Sequence, residues 1–245
     1  MITVIKNRCL GILGAPCAAV LLGLGSWIVP IDLAYAYSKV EISEQEFDNW
    51  PGYCQAAPFT DVIKPPGRQR VYLTDKQRGL SGSIGIWHYC MGLIHVLRAE
   101  RTMDPSGVDR GFADLMYSYE KIPKYEPWAA EMAVTIARAY RIKRNYKKAK
   151  EYLETVLINR PDYVLTYSVL AMLYFDQEKY IDAITVLVEG NANTEGKSAE
   201  LNYFLGLAYL YNGDIDAAKK QEAIARELGY PLQGLAQKIA EHEQP

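Results

Sequence analysis

The chain has 245 residues, of which 49% are apolar and 23% charged, and its net charge is −2 at neutral pH. This composition excludes a disordered chain and suits one or two compact folded units. A balance so close to neutral also excludes the strongly basic surface that nucleic-acid binding requires, so no nucleic-acid partner is expected. Nineteen tyrosines stand against five phenylalanines, and they concentrate in the second half, a first sign of repetition.

Lys6 and Arg8 precede an uncharged stretch over residues 9–31, which ends at Asp32 and Ala34-Tyr35-Ala36. A basic start, an apolar run and a small-x-small end predict an export signal over residues 1–36, cleaved after Ala36, with the mature chain in the periplasm or secreted. The competing expectation is a retained anchor, since 23 uncharged residues at 1.5 Å each could cross a core of ~30 Å. Gly11, Gly14, Pro16, Gly23, Gly25 and Pro30 make that span a poor one, so membrane contact is expected only through an uncleaved signal. Lipidation at Cys17 is disfavoured by Pro16 just before it. Cleavage removes Cys9 and Cys17 and leaves Cys54 and Cys90, an even pair in an oxidising compartment. A Cys54–Cys90 bridge is the inference, and it would close a loop worth ~2–4 kcal/mol; two buried thiols are the alternative.

Residues 37–79 show little helical periodicity and carry Pro51, Pro58, Pro65, Pro66 and Gly67, which predicts an irregular N-terminal arm. One short helical piece is expected over 43–49, where Ser43 and Glu46 form a capping box. The segment 80–101 is apolar on most faces, through Ile84, Trp87, Tyr89, Met91, Leu93, Ile94, Val96 and Leu97, and reads as a buried helix. Asp104-Pro105-Ser106 ends it and opens a second helix to about Ile122, with Phe112, Leu115, Met116 and Tyr119 as its apolar stripe.

The remainder repeats. Counting 34 positions from Ala130, characteristic places fall on Ala133, Ile136, Ala137, Tyr140, Tyr146, Ala149, Leu153, Val156 and Pro161. A second count from Val164 places Tyr167, Leu170, Ala171, Tyr174, Tyr180, Ala183 and Leu187, with Gly190 and Glu195 departing. A third from Ala199 places Leu205, Gly206, Tyr209, Ile215, Ala218 and Ala225, with Glu222 departing. In this pattern the chain resembles the tetratricopeptide-repeat (TPR) family. The resemblance implies an all-α fold, a right-handed solenoid of antiparallel helix pairs, with repeats at 130–163, 164–198 and 199–230. A capping helix and tail follow at 231–245, built on Pro231, Leu232, Leu235 and Ile239.

Two antiparallel helices approach closely only where a small residue sits at their crossing. Ala137, Ala171 and Gly206 are those residues on the first helices, and Ala149, Ala183 and Ala218 on the second. In the pair at 80–122 Gly92 would take that role with Ala113 as partner. Their separation of 21 residues, against 12 in the repeats, makes this pair TPR-like only.

His88, Cys90 and His95, with Cys54, are the one group of metal-ligand types. Residues seven apart on a helix lie ~10 Å apart along its axis, too far for one ion, so neither metal nor cofactor is expected. No haem-attachment, nucleophile-elbow or phosphate-loop motif is present, and no enzyme activity is expected. The family resemblance implies instead a concave groove lined by the first helices. Its positions fall on Glu131, Val134, Arg138, Arg141 and Ile142, on Leu165, Ser168, Met172, Phe175 and Asp176, and on Glu200, Tyr203, Leu207, Leu210 and Tyr211. Such a surface suits a peptide with an acidic flank met by the two arginines. The plainer alternatives are that the leucines are core and that the arm folds back over the groove. The expectation is therefore an exported scaffold or adaptor that binds a protein or peptide in bacterial envelope assembly or secretion. A metal-binding or enzymatic protein centred on Trp87–His95, or a self-assembling structural subunit, are the alternatives; oligomeric state is left open.

Overall fold

The computed structural model describes residues 41–57, 60–69 and 85–243, all within the compact unit Glu41–Pro245. The expected export signal, the leader cysteines and the segment 70–84 lie outside the described residues. Among the described residues every regular element is a helix. Three short ones, α1 (Glu44–Asp48), α2 (Gly52–Gln55) and α3 (Thr60–Ile63), precede α4 (Ile86–Thr102) and α5 (Pro105–Lys121). Then come α6 (Pro127–Ile142) with α7 (Tyr146–Asn159), α8 (Val164–Phe175) with α9 (Tyr180–Asn193), α10 (Ala199–Tyr211) with α11 (Ile215–Glu227), and α12 (Gly234–Glu243). None of the described helices is long and apolar enough to cross a membrane.

Four of the longer helices, α5, α7, α10 and α11, start where short polar side chains accept from freed backbone N–H groups. Asp104 accepts from Ser106, Asn145 from Lys148, Ser198 from Leu201 and Asp214 from Ala217. The turn between the helices of a pair needs one residue in the left-handed region, and repeat position 15 supplies it each time: Arg144 (φ 55°), Glu178 (φ 57°) and Gly213 (φ 88°). Only the third repeat places glycine there, the residue that adopts this conformation without steric cost.

The small residues predicted at the crossings are where the helices meet. Ala137, Ala149, Ala171, Ala183 and Ala218 are fully buried. A Cβ added at Gly206 would sit 2.4 Å from Leu235 Cδ2 and 3.4 Å from the Ala218 carbonyl oxygen. The departure at Gly190 also has a cause. Its added Cβ would lie 2.6 Å from the Tyr167 ring, which fills the space while its hydroxyl donates to the Pro161 carbonyl at 2.8 Å. The first repeat has the reverse arrangement, small Ala133 opposite larger Val156, so the two repeats exchange volume across one interface.

The α4–α5 pair differs from expectation. Gly92 crosses Gly111 rather than Ala113, whose side chain is exposed. A Cβ on Gly111 would meet the Gly92 Cα at 2.9 Å, and one on Gly92 would meet the Gly111 carbonyl oxygen at 2.8 Å. Backbone thus lies directly on backbone. Capping helix α12 buries Leu235 and Ile239 as expected, but Leu232 precedes it and is 60% exposed.

The arm is more ordered than its prolines suggested. Its capping box is formed at Ser43 and Glu46, but three short helices stand where one was expected. Phe47, Trp50, Cys54, Ala57 and Ile63 are buried, and the apolar burial that holds them comes from packing at long range. Cys54 is joined to Cys90 of α4, with the Cα atoms 5.7 Å apart.

Two outcomes follow for stability. Glu178→Gly should stabilise the protein by ~1 kcal/mol by relieving a left-handed non-glycine residue, read as a higher urea midpoint. Gly190→Val and Tyr167→Ala should each destabilise by ~2 kcal/mol or more. Their double mutant, which copies the Ala133/Val156 pair, should lose clearly less than the sum of the two in a double-mutant cycle.

Candidate functional site

Successive first helices, α4, α6, α8, α10 and α12, touch one another, whereas successive second helices make at most marginal contact. The stack therefore closes on the first-helix side, and that side is the inner face. Its N-terminal half is held by the protein's own side chains. Tyr53 of α2 donates a short hydrogen bond to Glu131 and sets its ring edge-on to Trp128 with centroids 5.2 Å apart. Tyr89 of α4 donates to the same carboxylate at 3.1 Å. Burial first pushes both phenols far above the ordinary tyrosine range, with the charge of Tyr89 and then of Glu131 adding at Tyr53 and that of Glu131 at Tyr89, so they remain donors.

Neither arginine is available for a partner's acidic flank. Arg138 forms a two-point ion pair with Glu100 of α4. Arg141 does the same with Asp176 at the end of α8, at 2.7 and 2.9 Å. They link α4 to α6 and α6 to α8, which corrects the expectation that they receive ligand charge. Val134 and Ser168 are fully buried, and Leu207 is nearly so. These three are packed inside rather than lining the groove, a second correction: each side chain is buried, and Leu207 belongs to the core shared with Leu235 and Ile239 of α12. Ile142 and Leu210 are buried too, while Leu165 and Glu200 are half-buried.

The remaining predicted residues gather at the C-terminal half. Phe175 is half-buried among the rings of Tyr211 at 5.8 Å, Phe204 at 6.4 Å and Tyr180 at 6.4 Å. Met172 lies one turn before it, half-buried. Tyr203 stacks on Tyr230 with centroids 4.3 Å apart, and Tyr211 is 43% exposed. Beside it Leu210, Tyr211, Lys238, Glu241 and His242 line a cleft of ≈390 Å³ between α10 and α12. A second cleft of ≈390 Å³ lies between α1 and α4, walled by Gln45, Asn49, Ile94, Leu97 and Glu100. Tyr53, Lys238 and His242 were not anticipated. Their placement depends on how the arm and the capping helix dock, for which local pattern carries no signal.

The histidine and cysteine group separates in the fold. Cys54 and Cys90 are bonded to each other, His88 pairs with Asp114 of α5 against the Tyr117 ring, and His95 faces Gly111 with its pKa lowered by burial and then by Arg98 and Arg110.

Glu46 anchors the arm to α4. It accepts from Arg98 at 2.7 and 2.9 Å and from Arg101 at 2.9 Å, and chiefly the Arg98 bond holds its carboxyl far below the usual carboxylate range. A depressed folded pKa contributes stability that is present above the unfolded value of ~4.3 and is lost as pH falls through the folded value. Glu46→Gln should therefore lower the melting temperature at pH 7. The gap from wild type should close as pH falls from about 4 toward 2; a gap independent of pH would remove the charge from the argument.

The family model described as "Tetratricopeptide repeat" matches residues 130–163 and 199–221. Solved structures similar to the chain include one titled "MamA MSR-1 C2", 23% identical, covering 64% of this chain and 83% of that one, with TM-score 0.43. A point mutant of MamA is likewise 23% identical, over 64% of this chain and 84% of its own, with TM-score 0.42. No curated protein matches the chain. Three helix pairs in register, crossing on small residues and stacked by their first helices, form a solenoid whose residues 130–163 and 199–221 match the tetratricopeptide repeat, a repeat that generally binds protein partners.

Proposed function

We propose that this chain is an exported scaffold without catalytic activity of its own, and that its inner face holds a peptide or protein segment during bacterial envelope assembly or secretion. The observation that carries the binding half of this reading is the aromatic surface on α8 and α10. Phe175 and Tyr203 are half-buried and Tyr211 is exposed. Aromatic side chains at a surface give large contact area for little lost rotamer freedom, which is why they dominate binding hot spots. The described arm residues engage α4 and α6, leaving this second half as the surface a partner would use. Export is supported by the basic, apolar and small-residue leader and by the Cys54–Cys90 bridge, which suits an oxidising compartment.

Expression of the full chain in a bacterial host tests both halves. The protein recovered outside the cytoplasm should begin at Tyr37 by intact mass and should contain no free thiol; a cytoplasmic chain retaining residues 1–36 would refute export. Crosslinked pull-downs should then lose their specific partners on Phe175→Ala/Tyr211→Ala, at a temperature well below the melting point of the variant, which the loss of two inter-helix rings lowers. Identical partner lists would move the working surface elsewhere.

A further inference from the structure

The cations of the inner face differ in what they meet. Arg138 is neutralised by Glu100 of the preceding first helix and Arg141 by Asp176 at the end of the following one, and Lys143 is bonded to Asp109. Lys238 of α12 is different. Among the described residues its ammonium lies over the Tyr211 ring, 5.8 Å from the centroid, and walls the α10–α12 cleft with His242 one turn further along. A cation over an exposed ring is attracted by only ~0.5–1 kcal/mol, so an incoming carboxylate can accept from the ammonium without displacing a carboxylate among the described residues. Glu241 lies on the same wall and would repel an acid placed beyond Lys238, which narrows where the acid can sit. The capping helix is itself tied in place by Lys219 bonded to Glu243.

We propose, resting on the groove reading above, that the occupant is an extended peptide that seats a large apolar side chain on Phe175 and Tyr211 and a carboxylate on Lys238. The spacing follows from the structure. Phe175 to Tyr211 is 5.8 Å and Tyr211 to Lys238 is 5.8 Å, so the Phe175 ring and the Lys238 ammonium that receive anchor and acid lie at most about 12 Å apart. An extended chain advances ~3.3 Å per residue, which places the acidic residue within about three positions of the apolar one. The ligand class is thus an apolar-to-acidic segment read by the C-terminal half of the stack, with the capping helix supplying the charge that the paired arginines cannot.

The test is selection of a phage-displayed random dodecapeptide library on the purified protein, followed by fluorescence anisotropy of the enriched peptides on wild type, Phe175→Ala and Lys238→Glu. Thermal melts of each variant serve as the folding control. The expected result is enrichment of Phe, Trp or Leu followed within three positions by Asp or Glu. Phe175→Ala and Lys238→Glu should each weaken binding about tenfold or more, and Lys238→Glu should favour the same peptide with its acid changed to lysine. Peptides lost on Phe175→Ala but indifferent to Lys238→Glu overturn this inference and leave the groove standing. No enrichment, or peptides indifferent to both variants, overturns both.

Discussion

How closely the two helices of a pair approach decides everything else in this molecule. Where a Cβ is small or missing the helix surfaces interlock, and the large side chains beside the crossing fill the remaining space. In the α4–α5 pair this goes to the limit, with Gly92 and Gly111 bringing backbone against backbone. Each pair so formed is apolar on both flanks, and only another pair can cover them. One such core joins Tyr167, Ala171, Ala183 and Leu187 of the second repeat to Leu201, Leu205 and Ala208 of the third. The next joins Leu207, Leu210 and Ala218 to Leu235 and Ile239 of the capping helix. Stacking is thus a consequence of the crossings, and the inner face is a consequence of stacking.

Charge on that face divides it in two. Toward the N-terminus the ion pairs Arg138–Glu100 and Arg141–Asp176 link successive first helices, and the arm adds Tyr53 on Glu131 and Glu46 on Arg98. Half-buried pairs of this kind fix relative orientation more than they add stability, because desolvation offsets much of their attraction. Toward the C-terminus the links between helices are rings rather than ions, through Phe175, Phe204 and Tyr211. The ion-paired half and the aromatic half are therefore suited to different work, positioning in one case and contact in the other.

Local chemistry made much of this legible in the sequence. The crossing alanines, the Ser43–Glu46 capping box and the Asp104-Pro105 helix start each rest on spacing along the chain, and spacing survives in a linear string, while the Cys54–Cys90 pair rests on the count of cysteines after residue 36. The departure at Gly190 was visible as a departure, but its partner Tyr167 lies 23 residues earlier and becomes a neighbour only after α8 and α9 pair. Ala113 and Gly111 are both small, and only the register of the two helices separates an exposed position from a crossing. Repeat position puts Val134, Ser168 and Leu207 on the groove side, yet in the packed stack all three are buried.

Periodicity, small-residue spacing and capping residues thus fixed the helix pairs and their repetition from residues 130 to 230, because each depends on neighbours within one turn or one repeat. Which half of the inner face is occupied, which arginines are neutralised and where Lys238 points were decided by the folded chain alone. Those outcomes require the arm to return 78 residues along the sequence to Glu131 and the capping helix to close over α10. Contacts of that separation depend on the packed shape of the whole stack, and no local pattern encodes them.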